Sequence, residues 1–398
     1  MKETPYGPVY DNVLEGIGKT PLVKISSIDT GPCVLFLKLE SNNPGGSIKD
    51  RIGVAMIEAA EKEGKLKPGG TIIEATAGNT GLALALVAAQ KGYKTIIVVP
   101  DKMAQEKIFH LKALGADVRL TRSDVGKGHP EYYQDMAERI AEETGAFYVN
   151  QFGNAANPKA HYEATGPEIL GQMDGDVDAI VAGVGSAGTI TGLSRFFKEK
   201  SPKTDVILAD PKGSILTDYV NTGKIPNELG SWLVEGIGED FIPDIADLSH
   251  VKRAYDITDK ESFEAARGLL KKEGILGGSS SGTILAAALK YCRAQKEKKR
   301  VVAFVCDRGD KYLSKMFNDY WMYDQGFLKR PPRGDLTDLI TRRHSERATI
   351  TVQPDDTLMQ AYGKMKLYDI SQLPVLDEDG AVTGLLDEED LLFAIVRN

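Results

Sequence analysis

Short apolar runs separated by longer amphipathic stretches recur between residues 34 and 330. TIIEA (71–75), TIIVV (95–99), DAIVA (178–182), DVILA (205–209) and VVAFV (301–305) each read as a buried strand. The stretches between them, such as 81–91 and 103–115, have helical spacing. Strands that alternate with helices build a largely parallel sheet covered on both faces, an α/β fold. Glycine-rich turns follow the runs at 71–75 and 178–182. In such sheets ligands gather at the carboxyl ends of the strands, so chemistry is expected in those turns.

KRPPRGD, at 329–335, breaks the pattern with two prolines, a glycine and charges, the composition of a linker. The expected division is a large domain at 1–330, a linker at 331–341 and a small α/β motif at 342–398. Within the motif, RATITV (347–352) reads as a strand and DDTLMQAYGKMK (355–366) as a helix. QLPVLD (372–377) and AVTGLLD (381–387) read as strands around a DEDG turn, and EEDLLFAIV (388–396) as a final helix.

The 49 Lys and Arg against 57 Asp and Glu give a net charge of −8, which argues against a general binder of nucleic acid or of anionic membranes. No apolar run is long enough to span a bilayer. The start, MKETPYGPVYDN, lacks a signal-peptide pattern. Cys33, Cys292 and Cys306 form no framework, and the histidines show no metal-ligand spacing. The expectation is a cytoplasmic protein that acts on small metabolites without a metal.

Residues 42–51 read NNPGGSIKDR. Pro44 stops any preceding helix, Gly45 and Gly46 permit a tight turn, and Ser47 can cap the helix that follows. Lys49 then lies in the first helical turn, where the helix dipole disfavours a cation. A depressed pKa suits an imine-forming lysine, although a solvated surface lysine reads equally well from these residues alone. In EATAGNTGLALA (74–85) a strand ends at Glu74 and a helix begins near Thr80. Thr76, Ala77, Gly78 and Asn79 between them offer N–H groups for a carboxylate, or form an ordinary capped turn. In AGVGSAGTITG (182–192), Gly183, Gly185 and Gly188 with Ser186 and Thr189 make a nest suited to a phosphate, or a plain turn. No lysine follows, so it is not a P-loop. GILGGSSSG (274–282) sets serine hydroxyls at a helix start, where one could meet a ring nitrogen. A lysine imine, a carboxylate loop, a phosphate nest and a ring partner are together what pyridoxal phosphate needs.

In order and wording these motifs resemble the β-family, fold type II, pyridoxal-phosphate enzymes, and among them the cystathionine β-synthases, over nearly the whole chain. The resemblance implies a tryptophan synthase β-like fold of two subdomains with pyridoxal 5′-phosphate as cofactor. It makes Lys49 the Schiff-base lysine and places Asn79 at the cofactor's 3′ oxygen. Thr76, Ala77, Gly78 and Thr80, with Gln151 of VNQFGN, would bind the substrate α-carboxylate. Gly185, Ser186, Ala187, Gly188 and Thr189 would hold the phosphate, and Ser279 would face the pyridine nitrogen. Glu235 of VEGIGEDFIP (234–243) resembles a residue tied to the thiol substrate. Ala77 stands where the family has a serine, Ala187 replaces a glycine, and Phe152 and Glu239 replace tyrosines of some members. DPKGSIL (210–216), VEGIGEDFIP and the C-terminal motif resemble the cystathionine enzymes more than the O-acetylserine sulfhydrylases, which share the other motifs.

The activity implied is β-replacement. L-serine or O-acetylserine loses its β-substituent and L-homocysteine adds, giving L-cystathionine, with Lys49 as base for the α-proton. Rival readings are a cysteine synthase using sulfide, a serine or threonine dehydratase, and a catalytically weak metabolite sensor. The tail resembles one CBS motif, half of a tandem pair that binds adenosyl ligands such as S-adenosylmethionine; it could equally serve only dimer packing. No haem and a homodimer or higher homo-oligomer are expected.

Overall fold

The computed structural model describes residues 2–329 and 349–396, apart from Tyr6, Ala77, Lys102, Ala104, Ser123, Lys127, residues 227–229 and Asp369. The chain divides into two compact units, residues 1–317 and 318–398. No helix among the described residues is long and apolar enough to cross a membrane.

The first unit opens with a hairpin of β1 (Lys2–Thr4) and β2 (Gly7–Val9), then β3 (Leu22–Lys24) and β4 (Val34–Leu39). Next come α1 (Lys49–Lys62), β5 (Thr71–Ala75), α2 (Asn79–Lys91), β6 (Lys94–Pro100), α3 (Gln105–Ala113), β7 (Asp117–Thr121), α4 (Tyr133–Thr144) and β8 (Phe147–Tyr148). The rest comprises α5 (Ala156–Ala160), a π-helical turn (His161–Thr165), α6 (Gly166–Gln172), β9 (Ala179–Gly183) and α7 (Gly188–Lys200). It ends with β10 (Asp205–Pro211), α8 (Leu216–Thr222), β11 (Val251–Ile257), α9 (Asp259–Glu273), α10 (Ser279–Arg293) and β12 (Arg300–Val305).

Two main sheets result. The larger has the order β11-β10-β9-β12-β4-β3, parallel except for β3. The smaller, β7-β6-β5-β8, is wholly parallel. Alternation along the strands covers the small sheet on both faces. Ile73, Ala75 and Val98 pack with Ala137 and Ala141 of α4. Ile72 packs with Ile52, Met56 and Leu84 of α1 and α2, and Ile97 and Val99 with Leu82 and Leu111 of α2 and α3. Burial on both faces is why these strands read as continuous apolar runs.

A buried ionic cluster fixes the start of α1 to the large sheet. Arg51 Nε lies 2.7 Å from Glu40 Oε2, and Arg51 Nη2 lies 2.8 Å from Glu168 Oε2. Lys38 Nζ reaches Glu168 Oε2 at 2.9 Å and Thr20 O at 2.7 Å. Burial alone would raise the Glu168 carboxyl, but Arg51 and Lys38 hold it at about 2. Ser47 is not the cap of α1. Ile48 takes that position because the chain pairs with β12's exit, Ile48 N donating to Cys306 O at 2.8 Å. The Ser47 hydroxyl accepts from Lys49 N at 3.2 Å instead.

The second unit holds α11 (Asp319–Asp324), α12 (Leu358–Tyr368), the antiparallel pair β13 (Gln372–Leu376) and β14 (Val382–Asp387), and α13 (Glu388–Val396). Val352, Ala361, Met365, Leu373 and Leu391 form its core. Of the strand expected at 347–352, the described part pairs only as a bridge between Val352 and Val375. The helix expected from 355 starts at Leu358, where Thr357 and Gln360 hydrogen-bond each other reciprocally and stop it extending backwards. The linker expected at 331–341 lies outside the described residues.

Candidate functional site

Because the sheets are parallel, β4, β5, β9 and β12 release their chains towards loops at carboxyl ends. The loop after β4 leads to Lys49, the first residue of α1. Its turn is tight: Gly45 N donates to Asp50 Oδ2 at 2.6 Å, and a Cβ on Gly45 would fall 2.6 Å from Asp50 Oδ1. Burial is the main cause that lowers the Lys49 pKa, and the charges of Cys306, Glu239 and Asp307 partly offset it. An amine that loses its proton this readily can act as nucleophile or base.

The loop after β5 carries Thr76, Gly78, Asn79 and Thr80; Ala77 lies outside the described residues. Gly78 N donates to Thr76 Oγ1 at 3.1 Å. Thr80 Oγ1 donates to Gln151 Oε1 at 2.7 Å, so α2 and the turn after β8 meet here. Gln151 N donates at 3.3 Å to Glu74 Oε2, a fully buried carboxyl that burial raises to about 8. Asn79 is held across to the large sheet: its Nδ2 donates to Asp307 Oδ2 at 2.9 Å, and Lys311 Nζ donates to its Oδ1 at 2.8 Å.

The loop after β9 turns through Gly185, Ser186 and Ala187 into α7, which starts at Gly188 and Thr189. Ala187 has φ 65°, a left-handed conformation that costs an alanine about 1–2 kcal/mol. A glycine, which the family resemblance implies at this place, would carry no such cost. Ser186 Oγ accepts from Asn157 Nδ2 at 3.0 Å, and Thr189 Oγ1 lies 3.2 Å from His161 Nε2. Burial pushes the His161 pKa well below its ordinary value.

Ser279 begins α10 and its hydroxyl accepts from Glu235 N at 3.0 Å. The Glu235 carboxylate lies between two ammoniums, Lys107 and Lys315, the second at 2.7 Å. Burial would raise this carboxyl, but Lys107 and Lys315 outweigh it and hold its pKa low. Glu239, four residues on, is raised well above the usual range by burial and by Asp240 and Asp210. It faces the nest: its Oε1 lies 4.0 Å from where a Cβ on Gly185 would stand. Phe152 instead packs against Phe241, with ring centroids 5.4 Å apart.

Sequence reasoning missed Asp307, Asn157, Lys107, Lys311 and Lys315. Asp307, fully buried, accepts from Asn79 and from Tyr312 at 2.8 Å, and its Oδ1 has no partner. Its signal was available, since it follows the run VVAFV at a strand's carboxyl end. Among the described residues no group of His, Cys, Asp or Glu is placed to hold a metal ion.

Residues 13–307 match the Pyridoxal-phosphate dependent enzyme family, and residues 338–397 match the CBS domain family. Cystathionine beta-synthase of Rattus norvegicus is 41% identical over 395 residues, covering 98% of this chain and 70% of that protein. An O-acetylserine dependent cystathionine beta-synthase from Helicobacter pylori superposes with a TM-score of 0.71 at 38% identity, over 77% of this chain and 98% of that one. A hydrogen sulfide-producing enzyme from Fusobacterium nucleatum gives a TM-score of 0.72 at 38% identity, over 77% of this chain and 100% of that one. Pyridoxal phosphate fits the donors present: an amine disfavoured as ammonium, hydroxyls and N–H groups at a helix start, and a bare Gly185 where a Cβ would fall 2.6 Å from Gly236 O. The chain belongs to the pyridoxal-phosphate dependent enzymes, as a member of the cystathionine beta-synthase family.

Proposed function

We propose that the protein condenses L-serine or O-acetylserine with L-homocysteine by β-replacement, giving L-cystathionine. The observation that supports homocysteine over sulfide is Glu235 between Lys107 and Lys315. Two cations and one carboxylate complement a second substrate that carries its own carboxylate and ammonium. Sulfide offers neither.

Bound pyridoxal phosphate supplies an electron sink that acidifies the Cα proton of the amino acid. The chain's residues do the rest. Lys49 would hold the cofactor's carbonyl carbon and, once released as an amine, take the Cα proton. As an ammonium it can hand a proton to the departing oxygen. Thr76, Ala77, Gly78, Thr80 and Gln151 would hold the substrate carboxylate. Residues 185–189 would hold the phosphate, Asn79 the ring oxygen, and Ser279 the ring nitrogen. A neutral hydroxyl there stabilises ring protonation less than a carboxylate would, which favours elimination over transamination.

We read the large domain as 1–330, the linker as 331–341 and the CBS motif as 342–398. An adenosyl ligand such as S-adenosylmethionine at the CBS motif and a cytoplasmic setting belong to the same reading. Self-association is supported by apolar side chains exposed on the second unit, among them Met359 at 75%, Leu367 at 75% and Val382 at 70%.

The test is product analysis with cofactor-loaded protein. Cystathionine formed from homocysteine and either amino-acid donor, and lost in Lys49→Ala, is the expected result. Cysteine formed from sulfide much faster than cystathionine from homocysteine would overturn the choice of second substrate.

A further inference from the structure

Asn157 has no role in the reading above. It lies in α5 and is 1% exposed. Its Nδ2 donates to Gln151 O at 2.8 Å and to Ser186 Oγ at 3.0 Å. A side-chain amide has two N–H donors, and here both are used. The first acceptor belongs to the carboxylate arm, the second to the phosphate nest. The other end of the amide is placed as closely. A Cβ on Gly188 would fall 1.7 Å from Asn157 Oδ1, so the side chain lies directly against the start of α7.

Gln151 is held from three sides. Its N donates to Glu74, its carbonyl accepts from Asn157, and its side-chain oxygen accepts from Thr80. The turn cannot shift without moving Asn157, and Asn157 cannot turn without releasing Ser186. Neither loop has slack, because both donors and the close contact with Gly188 are on one short side chain.

We propose that Asn157 is a positioning residue that links the phosphate nest to the substrate-carboxylate arm, so that a disturbance at either is felt at the other. This rests on reading those loops as cofactor and amino-acid subsites. Asn157 touches neither ligand in this account. It sets Ser186 from one donor and Gln151 from the other.

The experiment compares the full-length protein with Ser186→Ala and Asn157→Ala. Two quantities are read: the dissociation constant of pyridoxal phosphate by titration without amino acid, and KM for L-serine at saturating cofactor. Asn157→Ala is expected to weaken both by about tenfold, the scale of one or two buried hydrogen bonds. Ser186→Ala alters only the nest, yet is expected to raise KM for serine several-fold with a smaller effect on kcat. The double variant should be no worse for serine than Asn157→Ala alone. An unchanged KM in Ser186→Ala, or additive effects in the double variant, would overturn the link. If Asn157→Ala does not fold, Ser186→Ala still decides, since it leaves Asn157 in place. Wild-type protein that binds no cofactor would instead sink the functional reading itself.

Discussion

Thr80 Oγ1 and Gln151 Oε1 stand 2.7 Å apart, although 71 residues separate them in the chain. The contact fixes the Gln151 amide by its oxygen; its nitrogen reaches Glu74 and has a second N–H to donate elsewhere. A substrate carboxylate is the partner this suits. Gln151→Ala should therefore raise KM for the amino-acid donor by about 10- to 100-fold, the range of hydrogen bonds to charged groups. Steady-state kinetics with L-serine would measure it. An unaltered KM would remove Gln151 from the carboxylate site.

Arg51 lies two residues beyond Lys49 and neutralises Glu40 and Glu168 together. Arg51→Met would leave Glu40, fully buried, without its charged partner. Breaking a buried pair from one side costs about 3–5 kcal/mol. Urea denaturation of the two proteins should show a loss of that size. A shift within error would mean that the cluster relaxes without cost.

Burial raises the Glu74 carboxyl to about 8, from an ordinary value of 4.5. Between those limits the unfolded chain has lost a proton that the folded chain keeps. Stability from this group is full below the ordinary value and falls as pH rises, levelling off above the folded value. Asp50, raised to about 7, and Asp210, raised to about 6, act in the same direction. Glu74→Gln should thus flatten the decline in melting temperature between about pH 5 and 8 without abolishing it. An identical slope in the variant would show that Glu74 ionises freely in the folded state.

Ala187 carries its left-handed φ of 65° inside the loop that turns into α7. Ala187→Gly removes the steric cost but gives the unfolded chain more freedom. The balance should favour the variant by about 0.5–1 kcal/mol. Differential scanning calorimetry would read this as a small rise in melting temperature. A fall would mean that packing around the methyl group outweighs backbone strain.

The fold was legible where physics leaves a continuous mark. TIIEA, TIIVV and VVAFV are covered on both faces and so read as mostly apolar runs, with Glu74 the buried ionisable exception. β11 was not, because an edge strand written VKRAYDI exposes Lys252, Arg253 and Asp256. The same limit governs the site. Lys49, Asn79 and the 185–189 nest sit in glycine-rich turns whose backbone demands are written locally. Asp307 meets Asn79 across 228 residues, and Asn157 meets Ser186 across 29, and no local pattern encodes either contact. Lys107 and Lys315 stand in none of the sequence motifs, and only the fold sets them on Glu235.

β12 is the last strand of the first unit in sequence, yet it lies inside the large sheet, between β9 and β4. β3–β4 and β9–β11 therefore share no ladder of their own and are joined only through it. Without β12 each half would present an unpaired strand edge, the kind of surface that invites pairing with another chain. The strand that joins the halves also carries Asp307, two residues past its end, to Asn79. One strand thus serves as the keystone of the sheet and as the carrier of a residue that ties the two sheets together.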